Sequence, residues 1–177
     1  MLLAPQSSRC RGPSARGASL LSPVAAGALW LAGGHTPVCS LLVLTIPRDL
    51  YDKIVAHARA DHPDEACGVL AGPAGSDRPE RFIAMMNAAR SPTFYEFDST
   101  EQFQVWWEME DRDEEPVVIY HSHTGTEAYP SRTDISLAAE PGAHYVLVST
   151  RDEHETEFRS YRIADAVVTE EPVSVVE

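Results

Sequence analysis

A chain of 177 residues with 44% apolar and 23% charged side chains is long enough for one domain with a sizeable core and has the balance of a globular protein. Its formal net charge of −13 is uneven: residues 1–40 hold Arg9, Arg11 and Arg16 and no acid, so the remainder stands at −16. A surface that acidic repels phosphate backbones, which excludes nucleic acid as the expected partner and leaves a protein or a small molecule.

Residues 1–40 mix Ser, Gly, Pro, Arg and Ala without a sustained period, and read as a disordered extension or as sequence translated from a start placed too early. The run from Leu20 to Ala32 imitates a secretory signal, but Pro23 interrupts it and it is too short to span a bilayer. No membrane partner is therefore expected, and the cytoplasm is the expected location. Cys10, Cys39 and Cys67 form no disulfide framework, which suits a reducing compartment.

A strand is predicted over Leu41–Ile46, then a helix with Pro47 in its first turn, where a missing N–H costs nothing. Leu50, Ile54, Val55 and Ala58 give that helix its apolar stripe, and Pro63 should end it near Asp61. Cys67–Ala71 and Arg81–Met86 read as hairpin strands about a turn over Gly72–Pro79, with Glu65 just ahead of them. Cys67 is expected to pack rather than react, as small cysteines at strand positions commonly do. Phe94–Phe97 is predicted as a short strand. Asp98-Ser99-Thr100-Glu101 then caps a helix through Met109, whose Phe103, Val105, Trp106 and Trp107 are expected in the core. Glu108–Glu115 reads as a solvated helix end and loop.

Pro116 bounds the apolar run Val117-Val118-Ile119-Tyr120, a predicted buried strand that continues into His121 and His123. Period-2 alternation points both imidazoles to one face and Ser122 to the other. After the loop residues Gly125 and Pro130, Ser131-Arg132-Thr133-Asp134 opens a helix that can carry Asp134 back toward the histidines. Ile135, Leu137 and Ala138 make that helix short, ended by Pro141-Gly142; His144–Ser149 is a strand; and Phe158–Ile163 with Ala166–Val168 forms a hairpin about Ala164-Asp165. His57, His62, His144 and His154 lack the paired spacing and are expected on the surface or packed against helices, while Tyr120 and Tyr129 are expected to flank the site. The mixture fits an α/β or α+β domain around a central sheet.

Two neutral imidazoles and a carboxylate suit zinc, and three protein ligands leave the fourth tetrahedral position open, the mark of a catalytic site. Ser131 and Asp134 also have the spacing of a capping box, and an H-x-H pair can be two ordinary polar residues at a strand end. The combination of both motifs is far rarer than either alone.

His121-x-His123, seven further residues, then Ser131-x-x-Asp134 resembles the signature of the JAMM (MPN+) zinc metallopeptidases. Glu65, in E-A-C-G-V-L-A-G with Gly68 and Gly72 at matching places, resembles that family's upstream catalytic glutamate. The span from about Leu41 to Val176 looks like bacterial members that remove cysteine from a ubiquitin-like sulfur-carrier protein. The resemblance implies an MPN domain over residues 41–177, a central mixed β-sheet flanked by helices in a cytidine-deaminase-like arrangement. It implies one Zn2+ per chain on His121, His123 and Asp134, with Glu65 moving the proton and Ser131 donating to the oxyanion. The implied substrate is the carrier with cysteine on its C-terminal glycine, cleaved to free cysteine in cysteine biosynthesis. Two alternatives stand beside it: a JAMM isopeptidase acting on lysine-linked ubiquitin-like conjugates, and a non-catalytic MPN scaffold, against which the complete ligand set argues. Thr124 departs from the family, where proline is common after the second histidine, and is expected to loosen the loop without removing a ligand.

Overall fold

The computed structural model describes residues 43–177, so the expectation for residues 1–40 and the first two positions of the predicted first strand lie outside the described residues. In chain order the elements are β1 (Leu44–Pro47), α1 (Arg48–Asp61), β2 (Cys67–Pro73), β3 (Arg81–Met85), α2 (Ser99–Asp111), β4 (Glu114–His123), α3 (Arg132–Leu137), β5 (His144–Ser149), β6 (Glu157–Ala164), β7 (Val167–Glu171) and β8 (Val173–Val176). Six strands form one sheet in the order β3-β2-β4-β5-β6-β7, parallel only between β4 and β5, and β1 pairs in parallel with β8 in a second, two-stranded sheet. This is the α+β architecture expected. No helix among the described residues is long and apolar enough to cross a membrane.

β4 lies in the middle of the large sheet, and every residue from Val117 to His123 is buried because both faces are covered. Val118 and Tyr120 face α1 and β1, packing with Leu44, Ile46, Leu50, Ile54 and Ala58. Ile119 faces the other way, packing with Leu147, Tyr161 and the α3 residue Ile135. On that same side Val105 and Met109 of α2 cover β2 through Cys67, Val69 and Ala71. His121 and His123 continue the row of Ile119, so they lie on the same side of the sheet, next to Asp134 of α3.

Several elements differ from expectation. Pro47 ends β1 and stands as the N-cap of α1 rather than inside its first turn. β4 begins at Glu114, ahead of the proline that was expected to bound it. The pairing steps from Leu70↔Val118 to Ala71↔Pro116, leaving Val117 as a bulge, and a bulge is where a strand tolerates proline. Glu114, expected in a solvated loop, instead pairs with Arg81 at 2.6 Å on neighbouring structure. Phe94–Phe97 is not a strand; only the Asn87↔Phe97 bridge forms, because the Asn87 side chain takes the hydrogen bonds of Ala89 N, Glu96 N and Phe94 O in place of a ladder.

Asp98 caps α2 as expected, accepting from Thr100 N and Glu101 N. Phe103 and Trp107, expected in the core, are 66% and 58% exposed, since Val105 and Met109 claim the opposite side of the helix. α3 stops at Leu137, before Pro141-Gly142 is reached. The terminal hairpin turns at Asp165 and Ala166, both at positive φ (51° and 60°), and its strands run longer than expected. β8, where no strand is predicted from the sequence, pairs with β1. His144 is neither on the surface nor against a helix: it is fully buried, with Nδ1 2.5 Å from Glu171 and Nε2 2.8 Å from Asp77, and Arg162 ion-pairs with both carboxylates.

Candidate metal centre

Strand pairing assembles the site. Cys67 sits opposite His121 across β2 and β4, and the segment just before it is tied on by two further hydrogen bonds, Ala66 N to Ser122 Oγ at 2.8 Å and Ser122 N to Ala66 O at 2.9 Å. Glu65 is thereby held beside the end of β4, 4% exposed. Ser131 is the N-cap of α3 and Asp134 its third residue, in a full capping box: Asp134 N donates to Ser131 Oγ at 3.2 Å and Ser131 N to Asp134 Oδ2 at 2.6 Å. The capping reading and the ligand reading are therefore compatible, since the Ser131 N–H that completes the box holds the carboxylate. Glu65, His123, Ser131 and Asp134 line one pocket of about 170 Å³, with His121 buried behind it.

The Nε2 atoms of His121 and His123 stand 3.2 Å apart, and Asp134 Oδ2 lies 3.4 Å and 3.5 Å from them. Bonds of about 2.0–2.1 Å at tetrahedral angles place neighbouring zinc ligands about 3.3–3.4 Å apart, so this triangle fits that ion. Among the described residues it is the one group of three such side chains whose donor atoms converge. The His123 Nδ1 donates to the Glu127 carbonyl at 2.9 Å, which leaves Nε2 as the atom directed at the centre.

The charges are tuned by position. Burial pushes His121 down, keeping it a neutral donor. Burial also pulls on His123, but Asp134, the Glu127 carbonyl and Glu65 outweigh it and raise the imidazole, so a metal competes there with a proton. Burial works against ionised Asp134, yet hydrogen bonds from both imidazoles and from Ser131 hold its carboxyl well below the usual carboxylate range. Burial lifts Glu65 to about 7, partly opposed by His123, in the range of a group that takes and returns a proton near neutrality.

All five expected site residues thus meet in one place. Tyr120 does not flank the site: it lies on the other face of the sheet, its hydroxyl 2.8 Å from His57 Nδ1. Tyr129 packs edge-on against Tyr161. Cys67 is buried with its thiol pushed up to about 12, which agrees with packing and not with a nucleophile. Tyr95, inside the predicted Phe94–Phe97 strand and not among the expected site residues, stacks its ring on His121 at 4.4 Å. The Glu127 carbonyl carries no side-chain signal and could not have been found that way. Thr124, expected to loosen its loop, instead donates to Pro92 O at 2.8 Å.

Fold and site together define a JAB/MPN-type domain with a His-His-Asp group that could hold a metal ion. The family described as prokaryotic homologs of the JAB domain matches residues 47–164, and the chain belongs to it. The "CysO-cysteine peptidase" of Mycobacterium tuberculosis is 72% identical over 138 residues, which span 78% of this chain and 94% of that protein. A "Probable TtuB-protein conjugate cleaving protease" of Thermus thermophilus is 35% identical over 98 residues, 55% of this chain and 64% of that protein. The solution structure of a Desulfitobacterium hafniense protein superposes with a TM-score of 0.67 at 30% identity, covering 77% of this chain and 94% of that one.

Proposed function

We propose that this chain is a zinc peptidase that hydrolyses the amide between the C-terminal glycine of a ubiquitin-like sulfur-carrier protein, of the CysO type, and cysteine, releasing cysteine for biosynthesis in the cytoplasm. The observation that carries the hydrolytic reading is the ligand triangle of 3.2 to 3.5 Å with Glu65 in the same pocket. The substrate rests on the 72% identity to a relative named CysO-cysteine peptidase. We take residues 41–177 as the peptidase domain, because the family match over residues 47–164 and every described strand and helix fall within them.

One zinc on His121, His123 and Asp134 would supply Lewis acidity at the scissile carbonyl and acidify the attacking water. Glu65 takes the water proton and returns it to the nitrogen of the leaving cysteine, so water and amide become a carboxylate and a free amine. Ser131 uses its Oγ to accept from Asp134 N, and its own O–H remains to donate to the developing oxyanion. The carrier tail approaches as extended chain, and its terminal glycine lets the backbone come close to the centre.

A second reading, an isopeptidase acting on ubiquitin-like protein conjugates, draws on the name of the Thermus relative. The pocket of about 170 Å³ has room for a cysteine leaving group. The test compares carrier-cysteine, carrier-alanine and a ubiquitin-like lysine conjugate at saturating zinc, with products identified by mass spectrometry. Cysteine release is expected to dominate. Efficient cleavage of the lysine conjugate with carrier-cysteine left intact would overturn the substrate while leaving a metallopeptidase.

A further inference from the structure

We propose that Thr124 is a positioning residue whose hydroxyl closes a ring of hydrogen bonds that fixes Glu65 against the metal-ligand strand. The inference rests on the reading of Glu65 as the proton carrier. Among the described residues the Glu65 carboxylate makes no hydrogen bond, so the side chain goes where its backbone puts it. That backbone is held from two sides. Glu65 N donates to Ser91 O at 2.9 Å, and Asn87 Nδ2 donates to Glu65 O at 2.9 Å, tying it to the loop over residues 87–93. Ala66 N donates to Ser122 Oγ at 2.8 Å, and Ser122 N to Ala66 O at 2.9 Å, tying it to the end of β4.

The loop and the strand end must also hold each other, or the loop can shift and draw Glu65 with it. Thr124 Oγ1 makes that third tie by donating to Pro92 O at 2.8 Å. It is the only hydrogen bond among the described residues that joins 88–93 to 121–127. The circuit runs from Glu65 through Ala66 to Ser122, along β4 past His123 to Thr124, across to Pro92, and back through Ser91 to the Glu65 amide. A single peptide unit separates the carbonyl that Thr124 holds from the one that holds Glu65. Pro92, Thr93 and Thr124 line the same pocket as Glu65, so slack in the ring appears where the proton moves.

A displacement of about 1 Å at a reacting group can cost about 100-fold in rate, and opening one of several ties should cost less, about ten-fold. The test is Thr124→Val, which keeps the shape and removes the donor, beside Thr124→Ser, which keeps the donor, both as zinc-loaded full chains. Thr124→Val is expected to lower kcat about ten-fold with KM and zinc content unchanged, and to speed amide exchange at Glu65 and in residues 88–93; Thr124→Ser should restore both readouts. Wild-type exchange at Glu65 in Thr124→Val, a Thr124→Ser variant as impaired as Thr124→Val, or loss of zinc in Thr124→Val would each overturn the proposal. If the wild-type chain turns over no carrier adduct, the functional reading fails by itself, and the exchange at Glu65 still decides the role of Thr124.

Discussion

Replacing Glu65 by glutamine keeps the size of the side chain and removes its charge, which separates its part in proton transfer from the work of the ligands. Without metal, burial raises this carboxyl from 4.5 to about 7. At about 1.36 kcal/mol per pKa unit the difference corresponds to about 3 kcal/mol. Because the folded pKa lies above the unfolded one, the contribution to stability is complete below about 4.5 and is lost as pH rises through about 7. At pH 8.5 the metal-free wild-type protein buries a bare carboxylate, and the variant does not. Water entering the pocket offsets part of that penalty, so chelator-treated Glu65→Gln should be more stable than wild type by about 1–3 kcal/mol at pH 8.5 and by much less at pH 5. Urea unfolding of both proteins at both pH values measures this. With zinc restored, the variant should keep its metal and lose about 100-fold to 10,000-fold in kcat. The reasoning is refuted if the two metal-free proteins differ equally at both pH values, or if Glu65→Gln loses metal as fully as a ligand variant does.

His123→Ala should lose both metal and turnover, and chelation of the wild-type protein should abolish activity until zinc is added back; metal analysis finding one zinc in an active His123→Ala preparation would contradict the ligand set. Ser131→Ala removes the hydroxyl that caps Asp134 N and serves as the oxyanion donor, while the Ser131 N–H still holds the Asp134 carboxylate, so unfolding should show a loss of about 1 kcal/mol and kinetics a fall in kcat of about 100-fold or more with zinc retained. Zinc affinity should weaken as pH falls, since the metal displaces a proton from His123, and a titration showing no proton release on binding would count against that. Gly68→Ala would drive a Cβ into the Ile83 carbonyl and the Tyr120 hydroxyl, and thermal or urea unfolding should register a loss of about 1–3 kcal/mol.

By itself the sequence determined what strand alternation and a single helical turn determine. His121 and His123 share a face because side chains alternate along any strand, and Ser131 and Asp134 meet because residues at the N-cap and N3 always do. The same local rules placed α1, α2, the β2–β3 hairpin and β5, with errors confined to their ends. What tertiary structure decided is everything that depends on a partner distant in the chain. Nothing local says that Pro116 can lie inside β4; the bulge opposite Leu70 and Ala71 permits it. Nothing local turns Phe103 and Trp107 outward, draws His144 in between Asp77 and Glu171, or adds β8 beside β1. For Glu65 the chain suggested a candidate by resemblance, but its position beside His123 and Asp134 comes from Ala66 pairing with Ser122, 56 residues away. The physical reason is that the backbone groups of a strand end must find partners across the sheet, and only the pairing of β2 with β4 decides which side chains those partners bring with them.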